Sequence, residues 1–212
     1  MIKYWQDNYP VIFTELIQHA EMVFISLFLA LIIAILVILI CLNRRNWMNT
    51  LIYVFSLLYS VPSFALFALL LPVFGLGMNT AIVVLTIYCE YILLRNFITG
   101  IREVDPVMID VAKGMGMTDE QTFFQVQLPV AVPAIFSGIQ IALASSISIA
   151  TIATTINAGG LGELLFEGLQ TQSVIPILWG IILTIVLTLI GASVLKLIEW
   201  SLDHRWRRAL NS

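Results

Sequence analysis

Glu90 is the residue whose chemistry first asks for an explanation. It stands between Cys89 and Tyr91 inside a long apolar run. A charge near the centre of such a run costs about 2.5–3.5 kcal/mol on insertion scales, so it should face protein or water. With Tyr88 and Tyr91 beside it, the carboxylate could attract a cation such as a trimethylammonium group, the rings adding their negative faces. Arg95, five residues on, offers a plainer alternative: Glu90 pairs or snorkels near the membrane surface.

A second polar set lies further along. Ser145, Ser148, Thr151 and Thr155 are spaced three, three and four apart, which puts them on one helix face. Small hydroxyl residues let helices approach closely in lipid. The same face would suit a solute passage or the seam of a dimer. Both readings stay open from the residues alone. Nothing here makes an enzyme: there is no nucleophile with a base and no paired intramembrane carboxylate. Cys41 and Cys89 lack a CxxC spacing and read as small buried hydrophobes. His19 and His204 lie near the chain ends without co-ligands and read as interfacial or solvated, so no metal site is expected.

The elements that must position these groups are membrane helices. Of 212 residues 60% are hydrophobic and 11% charged, against about 25% charged in soluble domains. About 20 apolar residues cross a bilayer core. The pattern predicts an all-α integral membrane protein with five transmembrane helices, at about 22–42, 51–71, 79–98, 129–155 and 175–198. Residues 1–20 mix Trp5, Tyr9, Phe13 and Leu16 with Asp7, Glu15 and His19, which fits an amphipathic segment on the outer surface. Acids precede the first apolar run, unlike a secretory signal. With the N-terminus outside and the C-terminus cytoplasmic, nine of the ten basic residues face inward: Arg44, Arg45, Arg95, Arg102, Lys113, Lys196, Arg205, Arg207 and Arg208. Only Lys3 is outside, as the positive-inside rule prefers. Residues 1–212 thus form a single transmembrane domain, with one sizeable cytoplasmic loop, 99–128.

That loop parses as two short helices between the third and fourth spans. Asp105 can cap a helix opened by Pro106. Gly114 and Gly116 end it. Thr118 with Gln121 forms a capping box for the second helix, which carries Phe123, Phe124, Val126 and Leu128, and Pro129 lets the chain turn into the next span. Met115 and Met117 stand near the tip, and methionine adapts to irregular partner surfaces. The hairpin is either a docking knob or a cap over the bundle.

Asp110-Val111-Ala112, three residues, Gly116, nine residues, Val126-x-Leu128-Pro129 resembles the EAA motif of ABC importer permeases (Glu-Ala-Ala, three residues, Gly, nine residues, Ile-x-Leu-Pro). Asp replaces Glu and Val the first Ala. In that family the motif helix docks in a cleft of a cytoplasmic ATPase, so the resemblance implies a coupling role for Asp110, Ala112, Met115 and Gly116. Leu94-Arg95-Asn96, Thr99-Gly100-Ile101, Glu103-Val104-Asp105-Pro106, Pro62-Ser63 and Ala158-Gly159-Gly160-Leu161-Gly162-Glu163 are similar to permeases for betaine-type osmoprotectants (glycine betaine, carnitine, choline). Cys89-Glu90-Tyr91 departs from them, and a binding domain of the kind fused to some relatives is not expected after the last span.

The resemblance implies a permease subunit in the bacterial plasma membrane, part of an ATP-driven, binding-protein-dependent importer. Its expected partners are two ATPase subunits holding ATP and Mg, a second or related permease, a binding protein outside the cell, and membrane lipid. The chain itself holds no P-loop and no cofactor, and no nucleic acid is expected. Gly159, Gly160, Gly162 and Glu163 would lie where the binding protein docks. Glu90, Ser145, Ser148, Thr151 and Thr155 are the candidates for the translocation path. A permease for methionine or another small solute is the near alternative; a channel or secondary transporter would usually show repeats or broken helices.

Overall fold

The apolar run beginning at Met22 does not start a helix of its own. In the computed structural model, α1 runs unbroken over Ile2–Cys41. Forty residues reach about 60 Å, twice a bilayer core. The N-terminal half therefore continues the span instead of lying apart as an amphipathic segment. It is held by the last helices: the Trp5 and Trp179 rings stand 4.8 Å apart, and the Tyr4 hydroxyl donates to Glu167 at 2.8 Å. Ile12, Leu161 and Leu164 form a small satellite core beneath them. The structure describes residues 1–41 and 45–210, the side chains of 45–46 and 203–210 excepted. Arg44, and the side chains of Arg45, His204, Arg205, Arg207 and Arg208, on which part of the charge argument rests, lie outside the described residues.

The expected second span is broken. It forms α2 (Arg45–Tyr59) and α3 (Ser63–Phe74), bent by 98°. Pro62 lacks an N–H and disfavours helical geometry in the residue before it. Broken backbone at membrane depth needs a protein partner, and the Tyr88 hydroxyl supplies one by donating to the Val61 carbonyl. Among the described residues four helices are long and apolar enough to cross a membrane, or five if this bent pair counts as one.

Three helices supply most of the core, α1, α4 (Met78–Arg102) and α7 (Leu128–Ala150), with Met48 of α2 and Leu66 and Phe67 of α3 joining it. α4 and α7 touch almost backbone to backbone. A Cβ on Gly138 would lie 2.6 Å from that of Asn96, and one on Gly100 only 2.5 Å from that of Ala134. Small residues give such contacts in lipid, where dispersion replaces the hydrophobic drive. α1 meets α4 in the same manner. The Ser26 hydroxyl donates to Met22 and Ile82 carbonyls at 2.7 and 3.2 Å, and Ala30 and Ala34 are fully buried one turn apart.

Beyond α4 come the hairpin helices α5 (Pro106–Gly114) and α6 (Asp119–Thr122). The chain does not turn at Pro129. A π-helical stretch, Phe123–Gln127, carries α6 directly into α7, with the Leu128 N–H donating to the Phe123 carbonyl. Pro129 cannot donate to Gln125, and its ring crowds that carbonyl; the wider turn just before it gives room. α7 ends in a 3₁₀ stretch, Thr151–Ile156. The expected outer loop contains a further helix, α8 (Gly162–Gln170), before the long α9 (Val174–Leu210).

Candidate functional site

The hairpin is built as its caps require. The Asp105 carboxylate accepts from the Val107 N–H at 2.9 Å with Pro106 at the first turn. The Thr118–Gln121 capping box is complete. Gly116 turns the corner at φ 88°, a conformation costly for residues with a Cβ. Lys113 on α5 bridges to Asp119 on α6 at 2.8 Å. That contact holds the Lys113 ammonium above its ordinary value, through the hydrogen bond first and the charge of Asp119 second.

The outer face of α5 is apolar and uncovered. Val107, Val111 and Met115 follow one another at four-residue spacing, 65%, 57% and 79% exposed, with Met108 beside them. Asp110 is exposed too. Ala112 is not: it is buried, and its carbonyl accepts from the Met117 N–H at 3.1 Å. Ala112 therefore holds the corner, and the side chains free to meet a partner are its neighbours. The bare valines and methionines on α5 were underweighted in the sequence, although their helical spacing was visible there.

The four hydroxyl residues divide between two helix types: Ser145 and Ser148 lie on α7, Thr151 and Thr155 on the 3₁₀ stretch, where four residues turn about 480° and move Thr155 off the α-helical face. Ser148 and Thr155 are exposed, while Ser145 and Thr151 are half-buried. Ser145 and Ser148 line a shallow hollow of about 360 Å³ together with Ala144, Ile149 and Tyr59. Tyr59, at the last residue of α2, went unnoticed in the sequence. Its ring lies 5.4 Å from that of Tyr88 and 4.8 Å from that of Tyr91, and Arg95 donates to the Tyr91 hydroxyl at 2.5 Å. The bend after Tyr59 brings the three rings together, which no local spacing reveals. Ser146 lies off this face, buried against Cys89 at 2.8 Å.

Glu90 is elsewhere. It is 1% exposed, and neither carboxylate oxygen has a hydrogen-bond partner among the described residues. Its place on α4 is one turn beyond Thr86, whose hydroxyl approaches the Ser26 carbonyl of α1 at 3.5 Å. Helical geometry sets it about 160° around α4 from Tyr88, and it does not line the hollow.

At the far end of α7 the glycine turn is pinned to α1. Gly159 and Gly160 have φ of 74° and 90°. The Gly160 N–H donates to Glu15 at 2.7 Å. His19, expected at an interface or in solvent, is instead fully buried. Its Nδ1 accepts from the Leu161 N–H at 3.3 Å, so Nε2 carries the hydrogen and donates to the Ile147 carbonyl at 3.1 Å. A Cβ on Gly162 would lie 2.0 Å from the Thr151 carbonyl oxygen, so α8 sits directly on the end of α7. Glu163 is exposed, yet accepts from the Thr154 hydroxyl. Nearby, the Gly77 N–H donates to the Ile156 carbonyl at 2.7 Å, joining the start of α4 to the same corner. In His19→Ala two buried backbone groups lose their partner, at about 1–3 kcal/mol each. Amide exchange at Gly160 and Leu161 should then speed up while the α5 amides stay as they were; unchanged exchange at the turn would show that Glu15 and packing suffice.

A protein-family model for binding-protein-dependent transport system inner membrane components matches residues 26–208. The carnitine transport permease protein OpuCD of Listeria monocytogenes serotype 1/2a (strain 10403S) is 32% identical over 204 residues, covering 96% of this chain and 92% of the relative. The choline transport system permease protein OpuBB of Bacillus subtilis (strain 168) is 30% identical, with 94% and 92% covered. The glycine betaine/carnitine/choline permease OpuCD of the same strain is 31% identical, with 94% and 88% covered. Among solved structures, a chain of the MetNI methionine ABC transporter in an inward-facing conformation superposes with a TM-score of 0.79 at 19% identity, over 94% of this chain and 98% of that one. A chain of an amino acid ABC transporter with histidines gives 0.77 at 18%, over 95% and 96%. These two likenesses speak to fold. The relatives speak to descent: the chain belongs to the family of binding-protein-dependent transport system inner membrane components and is a multi-pass permease of the inner membrane.

Proposed function

We propose that this chain is the permease subunit of an ATP-driven importer and forms the translocation path for betaine-type quaternary ammonium solutes. The observation that carries the coupling half is the bare stripe of Val107, Val111 and Met115 on a capped, braced hairpin. An uncovered apolar face outside the spans calls for a partner, and in this reading it is a cytoplasmic ATPase subunit, one for each of two permeases. Asp110 and the Gly116 corner border the contact, and Ala112 keeps its shape. The orientation follows: hairpin inside, glycine turn outside, with the binding protein at Gly159, Gly160, Gly162 and Glu163.

The solute half rests on the relatives named for carnitine, choline and glycine betaine and on the aromatic group beside the hydroxyl face. A quaternary ammonium ion donates no hydrogen bond and is held by ring faces. Arg95 already engages Tyr91, so Tyr59, which lines the hollow with Ser145 and Ser148, is the ring placed in the path. Thr151 and Thr155 continue the path toward the outer turn. Glu90 enters the path only in a conformation that opens the α1–α4 contact.

Uptake into vesicles containing the permease, its ATPase and its binding protein tests the reading. Glycine betaine, carnitine or choline should be accumulated with ATP, and methionine should not compete; accumulation of methionine alone would overturn the solute assignment. A Cβ on Gly116 meets nothing within 4 Å, so Gly116→Trp adds bulk only toward a partner. It should abolish uptake while ATP hydrolysis loses its response to the binding protein. Gly116→Ala, which shares the backbone cost, should keep most of the coupling. Full coupled transport in Gly116→Trp contradicts the docking reading. Tyr59→Ala should lower the uptake rate about tenfold, near the value of one desolvated cation–ring contact, with ATPase assembly intact; wild-type uptake would remove Tyr59 from the path.

A further inference from the structure

The hairpin end of the bundle holds two cavities that nothing above uses. The larger, about 410 Å³, is a groove lined by Leu31, Ile35, Phe97, Phe124, Val132 and Leu202 among other apolar side chains, from α1, α4, the π-helical stretch, α7 and α9. The smaller, about 290 Å³, shares Ile38, Ile101 and Phe123 with it and adds Arg102 and Gln127. The two adjoin across these three shared side chains, and the Arg102 guanidinium lines the smaller one. Arg102 ends α4 and is held at the rim by donating to Asn49 of α2 at 2.8 Å. Its chain neighbour Glu103 is not part of either lining.

The π-helical stretch makes the wall between the cavities. Phe123 on it is buried and Phe124 half-exposed. Phe123 lines both spaces and Phe124 the larger, their rings edge to face at 5.0 Å.

We propose that this groove is a phospholipid site, with one acyl chain in the apolar channel and an anionic headgroup phosphate at Arg102. A hydrocarbon chain is narrow and needs no polar partner. Charge decides the headgroup, because the polar end carries a fixed cation matched to a phosphate. Depth agrees, since apolar walls end at an arginine where hydrocarbon gives way to headgroups. A lipid seated here touches α1, α4 and the root of the hairpin together, so its loss would loosen the base of the coupling element.

Native mass spectrometry of the full-length purified permease, equilibrated with equal phosphatidylglycerol and phosphatidylcholine, tests the site. Wild type should retain phosphatidylglycerol preferentially. Arg102→Gln should reduce that preference about fivefold, the effect of one basic side chain at an anionic membrane surface, while still holding lipid. Val132→Trp, which fills the channel, should lower retention of both lipids. Leu189→Trp, on an exposed face of α9, should change neither and controls for folding. Ile35→Trp fills the channel from the α1 side should Val132→Trp fold poorly. Equal retention by wild type, Arg102→Gln and both channel variants would overturn the proposal. So would loss of a bound protein or second copy from the channel variants with lipid retention unchanged.

Discussion

The contact between α4 and α7 is the constraint on which the rest of the molecule depends. It is made without large side chains. Gly138 receives the Asn96 side chain, Gly100 receives Ala134, and Cys89 meets Ser146. In lipid, two helices gain little from hiding apolar surface from water, so intimacy of packing has to hold them. Once these helices are locked, the hairpin between them must emerge at one end of the pair. The glycine turn must emerge at the other. α1 then closes the third side through Ser26, Ala30 and Ala34.

Both ends of this post solve one problem, that of non-helical backbone beside a membrane. The hairpin solves it with its own caps: Asp105, Thr118 and Gln121 satisfy the exposed N–H groups. The glycine turn borrows from α1 instead, through Glu15 and His19. The break between α2 and α3 borrows Tyr88. The self-sufficient end is the one expected to be pulled by a partner, and the borrowed end is the one expected to receive solute. A continuous helical path, Asp119–Ile156, connects the two. In this account force applied at Met115 crosses the Gly116 corner and then reaches the outer corner along that path.

What was legible in the sequence was local. Caps, the Pro106 start and the Gly116 corner depend on residues three or four apart, and they appear where their chemistry put them. The helical period put Ser145 and Ser148 side by side, but it does not carry past Ala150, where the helix tightens to 3₁₀. The missed features are long-range or competitive. His19 looked solvated because its partners, Ile147 and Leu161, lie 128 and 142 residues away. The apolar run 51–71 read as one span because hydropathy does not register that Pro62 bends it by 98°. Pro129 read as a turn because a proline can end a helix; it was absorbed by a wider turn instead. Tyr59 joined the aromatic group only through that bend. The carboxyl of Glu90, without a hydrogen-bond partner among the described residues, remains the feature that neither packing nor the proposed path absorbs in this conformation.

The central claim is that the exposed stripe of α5 is the surface on which the motor pulls. Photo-crosslinking from single positions in the assembled transporter reads this most directly. A crosslinker at Val111 or Met115 should capture the ATPase subunit, and one at Val73, equally exposed near the other end of the bundle, should not. Capture from Val73, or none from either hairpin position, would contradict the account.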